Sequence, residues 1–139
     1  MTTTTTRRVL DELLSRMGEG EHAANRIAEL FAPAVDWLVP GSPAVPWIRD
    51  RSTRADAADF FRTMLGHFVP EDRAATLDHI LVDGPQAIVT GSVTQRLRTN
   101  GRLFTTPFAL HITVQDGLIA RYRVYEDSLA VAGAWGYAA

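Results

Sequence analysis

The run RYRVYED (121–127) sets Tyr122, Val124 and Glu126 at alternate positions. In a strand, alternate residues share one face. The other face carries Arg121, Arg123, Tyr125 and Asp127, and its two arginines mark it as the wetter one. Tyr122 and Glu126 are therefore expected to point inward. A carboxyl among apolar neighbours is poorly solvated, which raises its pKa toward values useful for moving protons. A phenol there can donate a hydrogen bond to a carbonyl oxygen. Gln95 shares an inward set with Val89, Gly91, Val93 and Leu97 and offers an amide to the same space. Glu126, Tyr122 and Gln95 are the catalytic candidates. The plainer alternatives are a rim glutamate in water and a core tyrosine bonded to backbone.

The histidines are scattered. His79 falls on the face of Ala75, Leu77 and Leu81, as a base on the pocket wall or a satisfied core histidine. His111 and Asp127 turn away from the apolar faces, and form a site only if a bulge flips their strand. In VDWLVPGSPAVPW (35–47), Val35, Trp37 and Val39 alternate against Asp36 and Leu38. Asp36 is thus expected to be solvated or paired, with Trp37 and Trp47 on a pocket wall and lip. Arg49, Asp50, Arg51 and Arg54 form either a solvated loop or a mouth for a polar substrate end.

The elements that position these residues follow from periodicity. Val9, Leu10, Leu13, Leu14 and Met17 repeat at helical spacing, and Gly18 ends that helix. A second helix is predicted over 21–31, ended by Pro33. A short strand spans 35–39, and a proline-tethered loop covers 42–53. A third helix runs over 54–68, with Thr53 as N-cap and Asp56 three residues on. Four strands follow at 75–82, 86–98, 102–114 and 118–127, and Asn-Gly and Asp-Gly in the last two links are hairpin signals. Helices first and strands later make an α+β domain. The expected boundaries are a frayed threonine-rich tail over 1–7, one domain over 8–132 and a C-terminal tail over 133–139 bearing Trp135 and Tyr137.

Composition narrows the classes. The 139 residues suit one domain, and the net charge of −2 with mixed signs argues against a nucleic-acid partner. With no cysteine, thiolate metal sites, thiol nucleophiles and disulfides are excluded. No apolar run approaches the roughly 20 residues of a membrane helix, and the start lacks a signal-peptide core, so the expected location is cytoplasmic. No motif for a phosphate loop, a serine nucleophile elbow or a metal cluster is present, so neither cofactor nor metal is expected.

Three segments in order, AELFAPAVDWLVPG, TRADAADFF and FTTPFALHITVQDGLIARYRVYEDS, resemble the nuclear transport factor 2-like superfamily, and its SnoaL-like polyketide cyclases in particular. The resemblance implies a cone-shaped α+β fold, with three N-terminal helices packed on a curved antiparallel sheet. It covers about residues 8–132. In ketosteroid isomerase-like relatives, the base and acid positions fall on Val39 and Leu110. The epoxide hydrolase positions fall on Gly91, Val93 and Val124. All five are apolar or glycine, which points away from both of those reactions.

The resemblance and the missing carboxylates together lead to an expected cyclase of natural-product biosynthesis. It would close a ring in a hydrophobic polyketide-type (polyene) intermediate, with a pericyclic, Diels–Alder-type closure as one route. The expected wall is Trp37, Val39, Trp47, Phe60, Met64, His79, Phe108, Leu110 and Val124. The alternatives are an acid-base isomerase or aldol-type cyclase using Glu126 or the His111/Asp127 pair, and a non-catalytic binder of an apolar ligand. A homodimer is implied by the resemblance.

Overall fold

Helix α1 spans Thr3–Gly18 and so absorbs most of the expected tail. Thr2 caps it, its side chain accepting the Thr5 N–H at 3.2 Å. Threonine is a mediocre helix former, but tertiary bonds override propensity here. The buried Thr6 hydroxyl donates to the Gly84 carbonyl at 2.6 Å, and the Gly84 N–H donates to Thr3 Oγ1 at 3.1 Å. The computed structural model describes residues 2–136, so the expectation for Tyr137 lies outside the described residues.

The second helical segment is shorter than its periodicity predicts. A 3-10 turn at Glu21–Ala23 leads into α2, Ala24–Ala28. Phe31 already opens strand β1, Phe31–Leu38. Pro33 was expected only as a helix stop. It sits inside β1 because β1 is an edge strand whose register shifts between Phe31 and Asp36, where a missing N–H costs no ladder bond.

Helix α3, Arg54–Gly66, has a complete capping box. Thr53 Oγ1 accepts the Asp56 N–H at 3.1 Å, and the Asp56 carboxylate accepts the Thr53 N–H at 3.1 Å. It also accepts the Ser52 N–H at 2.8 Å, the bond that chiefly holds its pKa below the usual range. Thr53→Ala is expected to cost about 1 kcal/mol of stability, read as a lower urea midpoint with unchanged slope. A 3-10 turn at Pro70–Asp72 then leads into the sheet.

Strands β2 (Ala74–Asp83), β3 (Gln86–Arg96), β4 (Leu103–Gln115) and β5 (Leu118–Glu126) form the expected antiparallel meander. The sheet as a whole is mixed, because β1 pairs with β5 in parallel and the order is β1-β5-β4-β3-β2. The connection through α3 starts β2 antiparallel to β1, and three hairpin reversals then leave β5 running the same way as β1. A fourth helix, α4, spans Ser128–Trp135 and takes in the start of the expected C-terminal tail. Asp127 caps it by accepting the Ala130 N–H at 3.0 Å. Its far end is tied to the β3–β4 link, with Asn100 donating to the Ala134 carbonyl and Arg102 to that of Gly133.

Between the helices and the sheet lies an aromatic core. Phe31, Phe60, Phe61 and Tyr122 are buried together, with ring centroids 5.0–6.1 Å apart. Offset and edge-on aromatic pairs of this kind add roughly 0.5–1.5 kcal/mol each beyond the area they bury.

Candidate functional site

A cavity of about 520 Å³ opens between α1, α3, α4 and the inner face of the sheet. Strand parity builds most of its wall. From β3 come Val93 and Gln95, from β4 Thr106, Phe108 and Leu110, and from β5 Tyr122, Val124 and Glu126. Val39, Trp47, Phe60, Met64 and Val131 close other sides. Glu126, Tyr122 and Gln95 are thus brought together on one cavity, with seven of the nine expected wall residues: Val39, Trp47, Phe60, Met64, Phe108, Leu110 and Val124.

Two expected wall residues lie elsewhere. His79 is exposed and does not line the cavity. The β2–β3 register shifts between Leu77 and His79, leaving Asp78 as an extra residue. Such a bulge reverses parity. Ala75 and Leu77 stay on the cavity wall, whereas beyond the bulge Ile80 and Val82 pack on the core and His79 turns out. Trp37 stands one layer behind the wall. It stacks on Tyr122 at 4.5 Å and meets Phe60 edge-on at 4.8 Å.

The polar groups of the wall are few. Glu126 ends β5, and burial pushes its carboxyl pKa up, with the Asp127 charge adding to the effect. Burial also raises the Tyr122 phenol, Glu126 raises it further and Arg73 opposes. Gln95 is 5% exposed, and its Oε1 has no partner among the described residues. Thr106 and Arg73 complete the set. The Thr106 hydroxyl donates to the Pro107 carbonyl at 2.8 Å and accepts the Asp127 N–H at 2.9 Å, fixing the backbone beside Glu126. Sequence reasoning passed over both. Thr106 shares its face with Phe108 and Leu110, a parity signal that was available. Arg73, in PEDRAA, looks like one member of a solvated charge run.

The alternative pair does not form. His111 lies on the outer face, its Nε2 2.7 Å from Gln86 Oε1, and Asp127 is occupied as the α4 cap. The irregularity in the β4–β5 pairing falls between Thr113 and Val114, beyond His111, so nothing flips it inward. Burial, with Arg121 and Arg123 adding, lowers the His111 pKa. Asp36 is also outside, bonded to Arg121 at 3.0 Å and to Arg123 at 3.0 and 3.1 Å. Those bonds hold its carboxyl below the ordinary value even though desolvation, the largest single influence, pushes upward.

None of the charged cluster after Trp47 lines the cavity: Arg49 and Asp50 are exposed, whereas Arg51 and Arg54 brace the fold. Buried Arg51 pairs with Asp59 at 2.7 Å, donates to the Asp56 carbonyl at 2.9 Å and lies 5.5 Å over the Phe60 ring. Arg54 donates to the Phe31 carbonyl at 2.8 Å. Among the described residues no group of three or more His, Cys, Asp or Glu could hold a metal ion, and no helix is long and apolar enough to cross a membrane.

The SnoaL-like domain description matches residues 11–122, well over half of the chain. The chain belongs to the SnoaL-like family. Solved structures agree with this SnoaL-like fold. A nuclear transport factor 2-like protein from Burkholderia xenovorans LB400 is 20% identical, with a TM-score of 0.79 over 96% of this chain and 98% of that one. A proposed SnoaL-like polyketide cyclase from Jannaschia sp. CCS1 is 17% identical, with a TM-score of 0.75 over 98% and 94%. A proposed isomerase from Rhodopseudomonas palustris is 17% identical, with a TM-score of 0.69 over 90% and 97%. At these identities the likeness is one of fold. No curated protein matches the chain. Val39 and Leu110, within the matched SnoaL-like residues, present hydrocarbon to the cavity, and Glu126, just beyond them, is the carboxyl on its wall.

Proposed function

We propose that the chain is a cyclase or isomerase of natural-product biosynthesis, acting on a hydrophobic, carbonyl-bearing intermediate of the polyketide type. The observation that carries this reading is one cavity that joins a hydrocarbon wall to the Glu126 carboxyl and the Tyr122 phenol. The apolar wall holds a flexible substrate in a reactive conformer, a contribution of up to roughly 7–11 kcal/mol in the best cases. Tyr122 or Gln95 donates a hydrogen bond to the substrate carbonyl, and Glu126 takes a proton from the adjacent carbon and returns it after rearrangement or ring closure. General acid-base catalysis of this kind contributes about 10²–10⁴-fold. The proposed SnoaL-like cyclase and the proposed isomerase among the structural neighbours are in keeping with chemistry of this class.

A second reading is favoured by Val39 and Leu110: ring closure in an apolar mould, pericyclic and without proton transfer. Turnover of conjugated polyketide-type enones in heavy water separates the two. Once the Glu126 carboxyl exchanges with solvent, proton transfer is expected to place deuterium on the product at the position where the proton is returned. A cyclised product free of deuterium would move the case to the pericyclic route. Binding without product would leave a carrier of apolar ligands.

A further inference from the structure

We propose that Arg73 anchors a carboxylate carried by an otherwise apolar substrate. The inference rests on the reading of the cavity as a small-molecule site. Arg73 follows the Pro70–Asp72 turn and stands on the cavity wall beside Pro70, Ala75 and Leu77. A guanidinium offers five N–H donors in a planar fork. Among the described residues Arg73 uses one of them, from Nη1 to the Met17 carbonyl at 3.1 Å, and has no carboxylate partner.

Its neighbours explain why no acid neutralises it. Asp72 is already engaged by Arg96 at 2.8 Å, and Glu71 is exposed. Arg51 provides the internal contrast. It is the more buried arginine, and the fold supplies it with Asp59, the Asp56 carbonyl and the face of Phe60. Arg73 is half-buried among hydrocarbon and receives one carbonyl. Desolvation lowers its pKa, a sign that its charge is poorly compensated.

A partly desolvated, unpaired guanidinium on an apolar wall favours an anion that fits its fork, and a carboxylate does so with two parallel hydrogen bonds. A single cation matches a singly charged group. Arg73 lines the same cavity as Tyr122 and Glu126, so an acid held at Arg73 has its apolar body in the space that those two groups border. The substrate class is therefore an amphipathic monocarboxylic acid, with its acid end at Arg73 and its reacting carbons toward β5.

Calorimetric titration with para-phenylbenzoate and the matching para-phenylbenzyl alcohol tests this. At neutral pH the wild-type protein is expected to bind the acid about tenfold or more tightly than the alcohol. Arg73→Met should erase that preference, so that the two probes bind alike, and Arg73→Lys should retain part of it. Thermal melts check that each variant is folded, and Arg73→Gln replaces the Met variant if that one is not. Equal binding of both probes by wild type, or an acid preference that survives in the Met variant, overturns the anchor and leaves the cavity reading standing. Failure of both probes to bind overturns both. No turnover is needed, so a failure of the Glu126 chemistry does not affect this comparison.

Discussion

Replacing Glu126 by glutamine is expected to slow a proton-transfer reaction in the cavity by roughly 10²–10⁴-fold while the protein stays folded. Glutamine keeps the shape of the side chain, and no hydrogen bond within the described residues depends on the carboxylate. The rate of the wild-type protein should rise with pH along a limb centred above the ordinary carboxyl value of 4.5, because the base must be ionised and burial raises its pKa. The variant should lack that limb.

Stability should respond with a defined sign. Between 4.5 and the raised native value, folded Glu126 keeps a proton that the unfolded chain has released. The native state then binds more protons, so stability falls as pH rises through that window and is level on either side. Glu126→Gln removes this loss and should melt higher than wild type above the window, and alike below it. Full turnover by the variant at every pH would remove Glu126 from the chemistry and leave the pericyclic mould.

Gly91→Ala is expected to destabilise the fold by about 2–3 kcal/mol, the upper range for overpacking. Gly91 lies in β3 between Leu77 of β2 and Phe108 of β4. A β-carbon there would run into the Thr76 carbonyl oxygen, a backbone atom with little freedom to move. The clash falls at the bulge, so Ala75 and Leu77 on the cavity wall should shift as well, and ligand affinity should drop with the urea midpoint. Gly133→Ala is the control. Nothing lies within 4 Å of its added carbon, and it sits inside α4, where alanine is favoured over glycine by about 1 kcal/mol. A Gly91→Ala protein as stable as wild type would mean that β2 can slide without cost.

Period-two alternation located the site because β3, β4 and β5 are regular across it. Gln95, Phe108, Leu110, Tyr122, Val124 and Glu126 were all placed by parity alone, and all reach the cavity wall. The errors gather where parity or local signals are overruled by partners distant in sequence. One extra residue, Asp78, turns His79 outward, and no local pattern marks that bulge; its counterpart is Gly91 on the next strand. Residues Thr3 to Arg7 were expected to fray, because the hydroxyl partners of Thr3 and Thr6 lie some eighty residues away at Gly84. Pro33 signalled a helix end, and only the edge position of β1 makes it acceptable in a strand. Arg73 was indistinguishable from its solvated neighbours until the cavity showed what it faces.

The strand order also bears on how the chain is made. Of the five strands in this sheet β5 is the last to leave the ribosome, yet it lies between β1 and β4. During synthesis β1 therefore has no strand to pair with until residues 118–126 emerge, and Trp37 lacks the Tyr122 ring it stacks on. Pairing across so long a separation is slow to nucleate. The sheet thus cannot close before residues 118–126 have been translated, and the nascent β1 edge needs shielding in the interval.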